Sequence, residues 1–238
     1  MTASPGSSSA YPVLHAAALT KAYGSAVALA GVDFRISAGE SVAIMGASGS
    51  GKTTLLHCLA GILKPDSGTV VLNAPAGPVE VTALGESERS RLRRESFGFV
   101  FQQGLLLPEL TAVENVALPL MISGTPRKVA EAPAAEWLGR LGLAGMERRR
   151  IGELSGGQAQ RVAIARAQVT GASVVFADEP TGALDSSTSA EVMAALISAT
   201  TGHGRSLVVV THDDDVASRC ARVVRLSDGR IVDEVVTR

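Results

Sequence analysis

"SVAIMGASGSGKTTLLHCLAGIL", residues 41–63, decides the fold. A short apolar run ends at Met45, and a glycine-rich stretch follows without a spacer. From Lys52 to Leu63 the apolar residues recur at helical spacing. The order is therefore strand, glycine loop, helix. Gly46, Gly51, Lys52 and Thr53 fall on the spacing G-x-x-x-x-G-K-[ST], in which bare backbone N–H groups wrap phosphates. On that template Lys52 reaches the β- and γ-phosphates and Thr53 offers its hydroxyl to Mg²⁺. Ala47, Ser48, Gly49, Ser50 and Thr54 complete the candidate cradle. An ordinary glycine turn is the competing reading, and the flanking strand and helix weigh against it. Lysine occurs only at Lys21, Lys52, Lys64 and Lys128, so a lysine at this position is conspicuous.

Working outward, residues 13–36 alternate apolar and polar positions and read as short antiparallel strands, with Gly24 and Gly31 as breaks. "TVVLN" reads as another strand, and 74–96 as a loop with a short helix. "FGFVFQQ" is a strand that ends in two glutamines. Residues 103–152 change character: "TAVENVALPLMI" opens on a capping box, Thr111 to Glu114, and a second helical stretch lies near 127–141. They read as a helical lobe inserted in an α/β frame. Alternation then returns, with the strands "SVVFAD" and "SLVVV", helices from about 186 and 213, and a closing hairpin around Asp228-Gly229. Strands that alternate with helices imply a parallel sheet. The expected fold is α/β: a phosphate-loop NTPase core with a small antiparallel β subdomain and an inserted α-helical subdomain.

Three further places carry chemistry. Asp178 and Glu179 end the apolar strand read in "SVVFADEP", 173–180; the first suits a Mg²⁺-holding acid and the second a general base for water. A solvated strand end is the plain alternative. His212 follows the strand "SLVVV" and so lies where α/β sheets bind ligands, beyond the carboxyl ends of strands. His15, His57 and His203 have no such placement and read as structural. Gln102 could reach a metal or a water, with Gln103 beside it as a rival, and Tyr23 could stack on an adenine or pack. The last place is "ELSGGQAQRVAIARA", 153–167. Ser155 and Gln158 spell a capping box. Two glycines in a first helical turn cost about 1 kcal/mol each against alanine, and a cap needs neither. A bare helix start holds anions well, so the chain carries two phosphate-seeking helix starts.

"KAYG", "GASGSGKTT", "FVFQQ", "LSGGQAQRVAIARA", "VVFADEPTGALD" and "VTHDD" together resemble the ATP-binding subunits of ABC transporters, over residues 13–235. "FVFQQGLLLPELTAVENVALPL" with "ADEPTGALDS" is similar to the branch of lipoprotein-release, macrolide-export and cell-division ATPases. The resemblance implies ATP and Mg²⁺ as cofactors and two copies joined head to tail. Ser155, Gly156, Gly157 and Gln158 of one copy would then close over the ATP held by the other. It further implies that Tyr23 stacks on adenine, that Gln102 senses Mg²⁺ and couples to a permease, that Asp185 bridges the dimer, and that His212 holds the γ-phosphate. The expected domain layout is a disordered tail over 1–12 and one ATP-binding domain over 13–238, with the helical subdomain at about 103–152. Permease contacts are expected near Gln102 to Leu120, where charge reversal at Glu109 or Glu114 should weaken docking. The family often has Gln where Ala159 stands, a change outside the chemistry.

Composition narrows the partners. The 238 residues carry a net charge of −1, and no basic stripe points to nucleic acid. Cys58 and Cys220 match no metal spacing and read as small buried hydrophobes. No lysine or arginine precedes Lys21, so no signal peptide is expected, and no apolar run approaches the length of a membrane span. A membrane role would be borrowed from an integral membrane permease, with this chain peripheral on the cytoplasmic face. A soluble ATPase of the same type acting on nucleic acid or ribosomes is the alternative. A phosphate-loop kinase or GTPase would leave "LSGGQ" and "ADEP" unexplained.

Overall fold

A computed structural model describes residues 12–102 and 104–237. Residues 1–11 of the tail expected over 1–12 lie outside the described residues, as does the rival glutamine Gln103, whereas Pro12 opens the first strand. Two sheets organise the rest. A four-stranded antiparallel sheet runs in the order β2-β1-β4-β5, from β1 (Pro12–Tyr23), β2 (Ala26–Ser37), β4 (Ser67–Ala74) and β5 (Gly77–Glu80). A six-stranded sheet runs β10-β9-β3-β8-β7-β6. Its members are β3 (Ser41–Met45), β6 (Phe97–Phe101), β7 (Val174–Asp178), β8 (Ser206–Val210), β9 (Arg222–Ser227) and β10 (Arg230–Val236). Strands β6, β7, β8, β3 and β9 are parallel neighbours, and β10 joins antiparallel through the Asp228-Gly229 turn. Strands β3 and β8 are buried on both faces, as unbroken apolar strands in a parallel sheet must be.

Seven α-helices complete the described residues: α1 (Lys52–Leu59), α2 (Glu86–Ser96), α3 (Ala112–Ile122), α4 (Arg127–Arg140), α5 (Gly156–Gln168), α6 (Ser186–Thr201) and α7 (Asp214–Ala217). Thr111 caps α3: its hydroxyl accepts from Glu114 N, and Glu114 Oε2 accepts from Thr111 N at 2.8 Å. Helices α3, α4 and α5 pack on one another. Trp137 on α4 lies against the His203 ring, with the centroids 5.1 Å apart.

The structure corrects several expectations in local detail. Gly31, with φ +80°, does not break its strand; β2 runs through it, and β1 and β2 form one long irregular hairpin. The stretch 74–96 holds a fourth strand, β5, besides its helix, because Gly77-Pro-Val-Glu pairs with β4. Helix α1 ends at Leu59 rather than Leu63, with a turn at Gly61 (φ +63°). The helix from 213 is a four-residue turn capped by Asp213. Both cysteines are buried, as expected, and burial pushes the Cys58 thiol up to about 11.

The two sheets are tied by Arg222, which is 8% exposed. Its Nε donates to Glu40 Oε1 at 2.7 Å, its Nη1 to Glu234 Oε2 at 3.1 Å, and its Nη2 to the Arg35 carbonyl. The tie joins β9 and β10 of one sheet to β2 of the other.

Candidate functional site

The loop between β3 and α1 is shaped by contacts that exclude side chains. Gly51 has φ +104°, and a Cβ there would lie 2.2 Å from the Ala28 carbonyl oxygen. Gly46 meets the Leu226 carbonyl in the same way, at 2.2 Å. Gly49, by contrast, opens on empty space. The loop is thus pinned at both ends by neighbouring strands while its middle faces outward. Lys52 Nζ donates to the carbonyls of Gly46 and Ala47, each at 2.8 Å, so the ammonium rests on its own loop.

The carboxyl ends of β7 and β8 deliver the remaining groups. Thr53 Oγ1 approaches Asp178 Oδ2 at 3.4 Å. Burial raises the Asp178 carboxyl above its usual range, against the lowering effect of His57, Thr53 and Lys52. Glu179 sits at φ +46°, a left-handed backbone that non-glycine residues rarely hold. It is kept there by Glu179 N donating to the Val210 carbonyl at 2.9 Å and by Gly182 N donating to the Glu179 carbonyl at 3.2 Å. Its carboxylate bonds His212 Nδ1 at 2.7 Å and accepts from Thr211 Oγ1 at 3.3 Å. That hydrogen bond, more than the attraction between the charges, raises the His212 pKa above its usual value. Ser50 Oγ is buried without a partner among the described residues.

A cleft of about 680 Å³ gathers most of the expected site. Tyr23 lines one end; Ser48, Gly49, Gly51, Lys52, Thr53 and Thr54 line the loop side; Asp178, Glu179 and His212 close the other. Tyr23 is 54% exposed, with the Lys21 ammonium 5.9 Å from its ring centroid. Gln102 is not among the lining residues. Its amide lies against Gly182, where a Cβ would come within 2.9 Å of Gln102 Nε2. Asp185, Ser155, Gly156, Gly157 and Gln158 are likewise absent from this lining. Asp185 caps α6, accepting from Thr188 N and Oγ1 and from Ser187 Oγ, and these bonds hold its carboxyl far below the usual range.

The signature helix start keeps its capping box: Ser155 N donates to Gln158 Oε1 at 2.9 Å, and Gln158 N to Ser155 Oγ at 3.3 Å. Packing adds a reason for one of its glycines. Gly157 has a use inside this chain, since a Cβ there would lie 2.5 Å from Thr188 Cγ2 on α6. Close packing of α5 on α6 therefore also requires a glycine there. Gly156 is exposed, with Leu184 Cδ2 at 3.1 Å from the position of a Cβ. The proposed use of Glu114 as a surface probe is corrected. Its carboxylate is committed to the Thr111 cap and an ion pair with Arg127, so reversing its charge would break a helix start instead of probing a surface.

Sequence reasoning missed Gly182, Gln160 and Arg166. Gln160 Nε2 donates to the Phe101 carbonyl at 2.9 Å, and Arg166 donates to the carbonyls of Gly104 and Leu105 at 2.6 and 2.8 Å. These partners lie about 60 residues away in the chain, and no local spacing announces them.

A pinned phosphate loop after β3, an acid pair at the end of β7, which β8 separates from β3, and a parallel sheet covered by helices define a phosphate-loop nucleoside triphosphatase. The family described as ABC transporter matches residues 29–182. The chain belongs to the ABC transporter family, among its ATP-binding subunits. It is 48% identical over 218 residues to the lipoprotein-releasing system ATP-binding protein LolD of Geobacter metallireducens, covering 90% of this chain and 95% of that protein. It is 45% identical over 231 residues to the macrolide export ATP-binding/permease protein MacB of Nitrosomonas europaea, covering 95% of this chain but 34% of that longer protein. Among solved structures, the post-hydrolysis dimer of the ATP-binding cassette MJ0796 with ADP and Pi aligns with a TM-score of 0.83 at 38% identity, covering 94% of this chain and 99% of that one. Among the described residues no helix is long and apolar enough to cross a membrane.

Proposed function

We propose that this subunit hydrolyses Mg²⁺-ATP in a head-to-tail dimer and drives a separate integral membrane permease for export, lipoprotein extraction or transmembrane mechanotransmission. The observation that carries the reading is the cleft itself, which gathers an exposed aromatic ring, a glycine-rich loop with its lysine, an acid pair and a histidine. In this reading residues 13–238 are one ATP-binding domain whose helical lobe, at about 103–152, faces the permease. The chain then sits on the cytoplasmic face of the membrane, peripheral to it.

The donor set fits Mg²⁺. Thr53 and Asp178 offer hard oxygens 3.4 Å apart, and a cation there would relieve the burial cost of the ionised Asp178. Among the described residues no group of three or more His, Cys, Asp or Glu side chains could hold a metal alone. That suits an ion that arrives with phosphates and keeps its waters. When bound, Mg²⁺ supplies charge neutralisation at the β- and γ-oxygens. The residues do the rest. Tyr23 stacks on adenine. Lys52 leaves its loop carbonyls for the phosphates, and the N–H groups of Gly46 to Thr54 enclose them. Glu179 takes the proton from the attacking water, His212 steadies the γ-phosphate, and Gln102 links the site to the permease. From the second copy, Ser155, Gly156, Gly157 and Gln158 close the cleft, with Asp185 beside them.

A groove of about 450 Å³ supports the permease partner. Phe99, Phe101, Leu118, Pro119 and Ile122 line it, and Ile122 is 62% exposed. An exposed apolar trough of this kind suits a short amphipathic segment of another protein.

Glu179→Gln tests the core of the proposal. The variant should bind ATP normally, hydrolyse it about 10²- to 10⁴-fold more slowly, and dimerise with ATP at high protein concentration. Sizing by light scattering and a phosphate-release assay read the two arms. A variant that hydrolyses at the parent rate removes Glu179 from the mechanism. One that binds ATP yet stays monomeric at every concentration removes the dimer.

A further inference from the structure

Gln102 lies beside the turn that carries Glu179, not within the cleft. Its amide rests on Gly182, whose N–H donates to the Glu179 carbonyl. Its usefulness therefore depends on where the backbone after β6 is held. That backbone is held from one helix. On the near side of Gln102, the Phe101 carbonyl accepts from Gln160 Nε2 at 2.9 Å; the same carbonyl takes Gly104 N at 2.8 Å. On the far side, the Arg166 guanidinium bridges the carbonyls of Gly104 and Leu105. Leu105 needs such a restraint, since it sits at φ +45°, a costly backbone for a branched side chain.

The chemistry of the two holders is unusual for a plain pin. Gln160 is 4% exposed and spends its amide N–H on this carbonyl. Arg166 has no carboxylate partner among the described residues, and burial lowers its pKa. Keeping an uncompensated cation half-buried is expensive when a neutral side chain would serve as a strut. A forked, planar donor that reaches two successive carbonyls is what the arginine provides and what a lysine lacks. Both holders project from α5, whose N-terminus is the Ser155–Gln158 signature. Arg166 also lines the apolar groove between β6 and α3. One helix thus carries the signature at its start, holds the carbonyls of Phe101, Gly104 and Leu105, and borders the groove.

We infer that Gln160 and Arg166 are positioning residues for ATP hydrolysis: from α5 they clamp the backbone on either side of Gln102 and set its amide against the Glu179 turn. The inference rests on the proposed role of Gln102 at the ATP site. Neither residue touches the nucleotide cleft, so nucleotide affinity is not their business.

The test is a double-mutant cycle on the full chain, read by kcat and KM for ATP and by equilibrium binding of a fluorescent ATP analogue. Arg166→Lys and Gln160→Glu should each lower kcat by about 10- to 100-fold, the scale of a misplacement near 1 Å. KM and nucleotide affinity should stay within about twofold, and thermal melting should show folded protein. Gln102→Ala alone should lower kcat similarly. In the Gln102→Ala background, Arg166→Lys should have no further effect, as expected of residues that act as one unit. Losses that multiply across the cycle overturn the clamp, because Arg166 would then act elsewhere. A silent Gln102→Ala instead overturns the role of Gln102 itself, and the clamp falls with it by a separate route. If Arg166→Lys fails to fold, Gln160→Glu against Gln102→Ala gives the same decision.

Discussion

At the scale of single residues, the contact between Glu179 and His212 governs what pH does. Glu179 raises the His212 pKa above the ordinary 6.5, first through the hydrogen bond and then through charge. Such a pair stabilises the fold fully below pH about 6.5, and the contribution fades as pH rises through the shifted value. The imidazole is largely exposed, so the effect belongs to the histidine's titration more than to stability. An NMR titration should place the His212 midpoint above that of a free histidine, and Glu179→Gln should bring it down. A midpoint indifferent to Glu179→Gln would mean the contact does not persist in solution. The residues of this contact were legible in the sequence because each ends a strand, and strand ends on one side of a parallel sheet converge. The placement of Gln102 was not, since its neighbour Gly182 belongs to another strand's turn.

At the scale of elements, α5 shows why a motif can be read correctly and explained only in part. The capping box at Ser155 is local, spans four residues and is present as its spelling implies. The crowding at Gly157 comes from Thr188, which the sequence puts in a different helix. The Thr188 methyl cannot swing away, because its hydroxyl is bonded to Asp185 at 2.7 Å. Gly157→Ala should therefore destabilise the chain by about 1–3 kcal/mol through overpacking. Adding Thr188→Ser removes the methyl, keeps the hydroxyl and leaves the next atoms 4.0 Å from the new Cβ. The double variant should recover that loss and gain up to about 1 kcal/mol of helix propensity. Urea unfolding measures both steps. No recovery in the double variant would place the strain elsewhere. Strand β5 and the continuous β2 escaped the sequence for a related reason: pairing partners, not the glycines within, decide where those strands run.

At the scale of the whole molecule, the parallel sheet and the antiparallel sheet are joined through Arg222, Glu40, Glu234 and the Arg35 carbonyl. Removing the arginine leaves two carboxylates facing each other without a cation. Arg222→Ala should cost about 3 kcal/mol, the low end for breaking a buried ion pair because Glu234 is partly exposed. Calorimetry should show a lower melting temperature, and a separate early transition of the antiparallel sheet would show that the tie also makes unfolding cooperative. The overall α/β architecture was readable from the alternation of strands and helices. Arg222 was not, because nothing in "ARVVRLSDG" marks one arginine as a joint and its neighbour Arg225 as a surface residue.

Lys52, resting on the carbonyls of Gly46 and Ala47, has a consequence for turnover. A buried ammonium that lost its phosphates with nothing to replace them would hold the spent nucleotide by the cost of letting go. On the role proposed for Lys52, those two carbonyl oxygens give the ammonium partners within its own loop, so each phosphate contact it gave up would be exchanged for a bond to the chain, and ADP would leave without stranding the charge.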